Sequence, residues 1–133
     1  MKSHKTTLKV RYAETDQMGV VHHGNYAQYL EIARISWLEN VGISYKDMEK
    51  NGIMLPVYEM NFKFKKSAFF DDELTIVTRL KTTPDVRISF DYEIYNKSGE
   101  LLTTATTILV FMDAKKRRPI RCPKYVLELL GKD

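Results

Sequence analysis

Asp16, Gly19, His22 and His23 stand close together in the chain, and Gly24 and Asn25 come directly after. A carboxylate with a reference pKa near 4 is charged at neutral pH. It can activate water as a general base or attack an electrophilic carbon itself, and residue types do not choose between the two. Beyond Asn25 the chain reads as a long helix. The leading N–H groups of a helix lack partners within it and sit at the positive end of its dipole, so they can hold a developing negative charge. A glycine there lets a ligand approach the main chain closely. The other reading of Asp16 is that it closes a turn, and of Gly24 that it only bends the loop. Paired histidines invite a metal, yet two adjacent rings need at least a third ligand. The other histidine is His4, near the N-terminus, so carboxylates would have to complete the site and no metal is expected.

The element that would position these groups is the apolar run after Asn25. Tyr26, Tyr29, Leu30, Ala33, Trp37 and Val41 fall at the three-four spacing of one helix face. Ile32, Ile35 and Leu38 widen that face until little polar surface is left, which predicts a helix covered by something else. Asn25 is placed to cap its start and Gly42 to end it. The rod would be roughly 24 Å long at 1.5 Å per residue. Glu31 and Arg34 are spaced to pair on its surface or to link the helix to neighbouring strands. Residues 45–51 suit a short second helix, with Ser44 as cap and Gly52 as stop.

The remaining chain alternates with period two. A strand is expected over residues 6–13, with Thr6, Leu8, Val10 and Tyr12 on one face. A second puts Tyr58, Met60, Phe62 and Phe64 on one face, with Glu59, Asn61, Lys63 and Lys65 on the other. Residues 69–72 turn the chain into a third strand, whose inward face is Leu74, Ile76, Thr78 and Leu80. Past a turn at residues 82–85 comes a fourth, marked by Val86, Ile88, Phe90, Tyr92 and Ile94. Lys97-Ser98-Gly99 makes a tight connection to the last strand, residues 101–112. Both faces of that strand turn apolar near its end, and a partner subunit is one candidate for the second cover. Residues 115–118 read as a basic loop and 125–130 as a terminal helical turn. One apolar helix and several one-sided strands are satisfied by an antiparallel sheet curled around that helix, an α+β domain spanning residues 1–133.

Composition narrows the partners. A length of 133 residues, 44% hydrophobic and 29% charged, describes one ordinary globular domain. The net charge of +4 suits an anionic small ligand. No run interleaves basic and aromatic residues over a long surface, so nucleic acid is not expected. A lone cysteine, Cys122, excludes an intrachain disulfide and fits a reducing compartment. No stretch reads as a signal core or reaches membrane-spanning length, and a cytoplasmic protein without membrane insertion is expected.

The segment Y-A-E-T-D-Q-M-G-V-V-H-H-G-N-Y at residues 12–26 resembles the 4-hydroxybenzoyl-CoA thioesterase family of hotdog-fold acyl-CoA thioesterases. The likeness continues through Y-L-E-I-A-R at 29–34, G-I-M-L-P-V at 52–57, D-D-E-L-T-I at 71–76 and R-I-S-F-D-Y-E-I at 87–94. It implies a hotdog fold and hydrolysis of an acyl-CoA to a carboxylic acid and free coenzyme A. Coenzyme A is then part of the substrate and no separate cofactor is needed. It implies that Asp16 is the catalytic carboxylate and that N–H groups near His23, Gly24 and Asn25 bind the thioester oxygen. It also implies a homodimer, often paired into a homotetramer, with active sites at the subunit interface.

Thioester hydrolysis suits so small a set of groups, because a thiol with pKa about 8.5 leaves readily near neutrality. Val21, His22 and Tyr26 are expected to line the acyl pocket. An aromatic often stands where this chain has His22, which implies a more polar or differently shaped pocket. Glu59 and Asn61 are expected to reach a neighbouring subunit's site or to be solvated. Arg87, with the basic residues 115–118, is a candidate for coenzyme A phosphates. Another branch of hotdog thioesterases takes its carboxylate from the central helix, where Glu31 stands here. Asp16 is preferred because it lies nearer the expected donors. Cys122 has no evident activating partner. Two other activities stay open on the sequence alone. One is a hotdog dehydratase or hydratase working through His23, and the other is a non-catalytic acyl-CoA-binding or assembly module.

Overall fold

Period-two alternation becomes a five-stranded antiparallel sheet, and the three-four stripe becomes the helix that packs against it. The computed structural model describes residues 2–131. The strands of the main sheet are β1 (Ser3–Lys9), β3 (Val57–Phe64), β4 (Glu73–Leu80), β5 (Arg87–Tyr95) and β6 (Leu101–Val110), with α1 (Tyr26–Asn40) and α2 (Tyr45–Lys50) between β1 and β3. Two-residue strands β2 (Ile53–Met54), β7 (Met112–Asp113) and β8 (Arg118–Pro119) form a small second sheet, and α3 (Lys124–Leu130) ends the order. The main sheet runs β1-β4-β5-β6-β3, so β1 and β3 are its edges. This is the α+β hotdog architecture.

Leu74, Ile76, Thr78 and Leu80 of β4 are buried, as are Ile88, Phe90, Tyr92 and Ile94 of β5, in the phases the alternation predicts. They meet Tyr29, Leu30, Ala33 and Trp37 of α1 in one core. Trp37 packs edge-on to Phe90 at 4.9 Å between centroids. Its indole N–H donates to the Lys2 carbonyl across 3.2 Å, so the aromatic anchor of the helix also ties down the start of β1. The helix stops at Gly42, whose φ of 95° is a left-handed conformation that suits glycine.

Several expectations are corrected. The first strand ends at Lys9, and Tyr12–Glu14 forms a 3-10 turn that leaves Tyr12 77% exposed. The last strand breaks at Phe111; the basic loop expected at residues 115–118 is present as the turn of the β7–β8 hairpin, with Arg118 entering β8, and Asp113 Oδ1 accepts the Lys115 and Lys116 N–H groups there. The helix is covered on one side only, with Ile32 48% exposed. Arg34 takes a place in the buried stripe, where the strand-linking alternative holds: its Nη1 donates to the Tyr92 hydroxyl of β5 across 3.3 Å. No ion pair joins it to Glu31 among the described residues, because burying Arg34 turns it toward the sheet and away from the exposed Glu31. In β3 a bulge between Val57 and Glu59 puts Tyr58 against Arg87 on the polar side, apart from Phe62 and Phe64.

Candidate active site

The loop between β1 and α1 is organised by a residue that sequence reasoning passed over. Glu14 is 6% exposed. Its Oε1 accepts the Arg11 N–H at 2.9 Å and the Tyr29 hydroxyl at 2.8 Å, while Oε2 takes the Arg11 Nε–H at 2.9 Å. Its carbonyl accepts the His22 N–H and the Asn25 side-chain amide, each at 2.9 Å. Burial acts to raise the carboxyl pKa, but the hydrogen bonds from the Arg11 amide, the Tyr29 hydroxyl and the Arg11 guanidinium outweigh it and hold the group below its ordinary range. The signal in the sequence was Arg11 and Glu14 three apart, ahead of a tyrosine-bearing helix face.

From that anchor the chain turns at Asp16. The Asp16 N–H donates to the Val20 carbonyl at 2.9 Å, and Asp16 Oδ1 accepts the Met18 N–H at 2.8 Å and the Val20 N–H at 3.4 Å. Gly19, at φ 80°, supplies the left-handed residue of the bend. The turn reading of Asp16 holds, and the side chain has a second place as well. It closes a turn, and it also lines a cavity of about 350 Å3. Val20, Val21, His23 and Tyr26 line the same cavity. Its far wall is Phe64, Lys65, Lys66 and Ser67, from the end of β3 and the turn beyond. None of these four was expected at the site, since nothing in a linear chain brings residues 64–67 opposite residue 16. Two contacts do so here. The Val21 N–H donates to the Ala68 carbonyl at 2.8 Å, and Val20 bridges to Phe69.

The entry to the helix differs from expectation. His23–Asn25 forms a 3-10 turn ahead of α1. The cap is His22, whose Nδ1 accepts the Gly24 N–H at 3.1 Å. The Asn25 N–H donates to the His22 carbonyl at 2.9 Å. Asn25 is helical in backbone, which an N-cap residue is not, and makes no side-chain cap; its Nδ2 donates to the Glu14 carbonyl instead. Of the three N–H groups expected to be open, those of Gly24 and Asn25 are therefore engaged. His23 opens the turn, and a leading N–H has no partner within its own helix. The His22 and His23 rings stack at 4.3 Å, with His23 on the cavity and His22 turned toward Gly24. His4, by contrast, bonds Ser36 Oγ at 2.9 Å, further along α1.

Tyr26 is 3% exposed and forms the cavity's inner side, with Phe64 at 5.1 Å and Phe62 at 6.5 Å between centroids. Glu59, Asn61 and Arg87 are not brought to this cavity within the chain. Glu59 and Asn61 pair with Ile108 and Thr106 on the outer side of the sheet, opposite Met60 and Phe62. Asn61 lines a separate cleft there with Lys63, Arg79 and Asp91. Arg87 lies 4.7 Å over the Tyr58 ring, a cation–π contact in another cleft. Strict alternation sends all three away from the helix side.

Residues 10–130 match the model of the thioesterase-like superfamily, and the chain belongs to that family. Among solved structures, the DHNA-CoA thioesterase of Staphylococcus aureus superposes with a TM-score of 0.89 and is 42% identical, over 91% of this chain and 81% of its own. Among curated sequences, the provisionally named acyl-CoA thioesterase YneP of Bacillus subtilis is 36% identical, over 90% of this chain and 87% of its own. The acyl-CoA thioester hydrolase YbgC of Escherichia coli is 28% identical, over 90% of each chain. No helix among the described residues is long and apolar enough to cross a membrane.

Proposed function

We propose that this protein is an acyl-CoA thioesterase, hydrolysing an acyl-CoA to a carboxylic acid and free coenzyme A. The observation that carries the reading is that Asp16 and His23, the carboxylate and the leading residue of the helix-entry turn, line one cavity. Relatives named as acyl-CoA thioester hydrolases support it.

In this scheme the substrate carbonyl lies between the Asp16 carboxylate and the His23 N–H. Asp16 takes a proton from water as the water oxygen bonds to the carbonyl carbon, or attacks that carbon itself to form an anhydride that water then opens. The N–H holds the oxyanion. The carbon–sulfur bond breaks, the electron pair leaves on sulfur, and the proton taken from water ends on the thiolate. No group beyond the chain and water is required. Lys65 and Lys66 at the far wall are placed to meet anionic parts of coenzyme A.

The working unit in this reading is a homodimer. β3 is an open edge carrying Val57, Tyr58 and Phe64 at 42%, 61% and 51% exposure. Tyr12, Phe69 and Phe70 add exposed aromatic area beside the site. A long apolar edge left bare is a pairing surface. In a dimer Glu59, Asn61 and Arg87 could serve a partner's site, which they do not do within one chain. The buried lone thiol of Cys122 supports a reducing, cytoplasmic setting.

The test is thiol release across aromatic and aliphatic acyl-CoAs, with sedimentation measured in parallel. Turnover by a species of twice the chain mass is expected. Binding without release would favour a sequestering module, and water addition to an enoyl-CoA would favour a hydratase working through His23.

A further inference from the structure

We propose that His22 is a positioning residue for catalysis. Its imidazole clamps the Gly24 amide and so sets His23, the residue on the cavity, in its working orientation. The proposal rests on the thioesterase reading of the Asp16–His23 cavity and assigns His22 a task other than contact with the acyl group.

Three observations carry it. The first is the bond itself, Gly24 N–H to His22 Nδ1 at 3.1 Å, in an extended residue that heads the turn. A ring nitrogen accepts only through its lone pair, so the clamped imidazole is the neutral tautomer with its proton on Nε2. The second is the glycine. Gly24 is not among the residues with a left-handed backbone, so conformation does not demand glycine there. A Cβ at that position would meet His22 Nδ1 at 3.1 Å and Cε1 at 3.2 Å. The missing side chain makes room for the ring. The third is the ring's second contact. It stacks on His23 at 4.3 Å and commits the Gly24 amide, so that His23 is left as the turn's residue on the cavity. One imidazole thereby fixes both the backbone and the ring of its neighbour.

Two readouts test this, one independent of turnover. Nitrogen-15 spectra of the histidine side chains in the intact protein should show His22 as the Nε2–H tautomer, and Gly24→Ala should abolish that preference. A His22 signal averaged between tautomers would overturn the clamp. For catalysis, His22→Ala should lower kcat about fivefold, the rate equivalent of a lost helix cap, with little change in KM. His22→Asn should restore most of it, because an asparagine oxygen can accept from the same turn. His22→Phe, which stacks but cannot accept, should not. Gly24→Ala should cost activity in the parent and add almost nothing in His22→Ala, the non-additivity of a shared contact. Full kcat in His22→Phe, or no recovery in His22→Asn, would overturn the positioning role. If the parent protein releases no thiol from any acyl-CoA, the functional reading and the catalytic role fall together. The tautomer signal would then decide the clamp alone.

Discussion

The Tyr29 hydroxyl donates to Glu14 Oε1 across 2.8 Å, joining the buried face of α1 to the loop that carries Asp16. Because Glu14 also receives the Arg11 amide and, through its carbonyl, the His22 amide, the site's loop moves with the helix. A carboxylate held below its ordinary pKa by these bonds stabilises the fold only while ionised. Its contribution is fully present above the unfolded-state value near 4.3. It is lost as pH falls through the lower folded value. Denaturant titrations from pH 7 to 2 should show the parent losing stability over that acid window. Glu14→Gln should be less stable at pH 7 by about 1–3 kcal/mol and flatter below pH 4, because it has no charge to lose. Parallel pH curves for the two proteins would remove Glu14 from this role.

Asp16→Asn keeps the side chain's size and its Oδ1 acceptor for the Met18 N–H, so the turn should survive. Removing the charge should lower kcat by about 10²–10⁴-fold, the span of general-base catalysis, with KM nearly unchanged. Steady-state thiol release with a circular-dichroism control checks it. Unchanged turnover in a folded variant would reduce Asp16 to a turn residue.

The two lysines of the far wall should behave differently. Lys66 Nζ lies 2.6 Å from Glu100 Oε2, whereas the Lys65 ammonium has no such partner among the described residues. Lys65→Glu should raise KM for acyl-CoA several-fold at low salt, and the difference should shrink as added salt screens the charges. The same acyl group on a short thiol without phosphates should show no such change. An equal effect on both substrates would place Lys65 outside the coenzyme A path.

Cys122 is 5% exposed, and burial first, then the nearby Asp85, pushes its thiol up to about 11. The thiolate is the reactive form, so labelling by a maleimide at pH 7.5 should be slow in the native protein and fast in denaturant. Cys122→Ser should keep native kcat. Rapid native labelling would mean that the packing around Cys122 opens readily.

Much of this molecule is written in short-range pattern. Period-two runs placed β4 and β5 in the right phase, three-four spacing found α1, and Ser44 caps α2 by accepting the Asp47 N–H as its type and position predict. Such features depend on a few consecutive residues, whose side-chain directions follow from backbone geometry alone. Asp16, Val21, His23 and Tyr26 share a cavity within one continuous segment for the same reason. The bulge at Tyr58 and the burial of Arg34 broke local rules, because β6 and the Tyr92–Thr107 pair decided what those residues face. Which amides stay open at the helix entry was likewise set by where His22 and Glu14 turn. The far wall of the cavity, residues 64–67, meets residue 16 only because β3 ends beside the loop before α1. A contact between residues some fifty positions apart is selected by the packing of the whole sheet, and no property of either stretch specifies it.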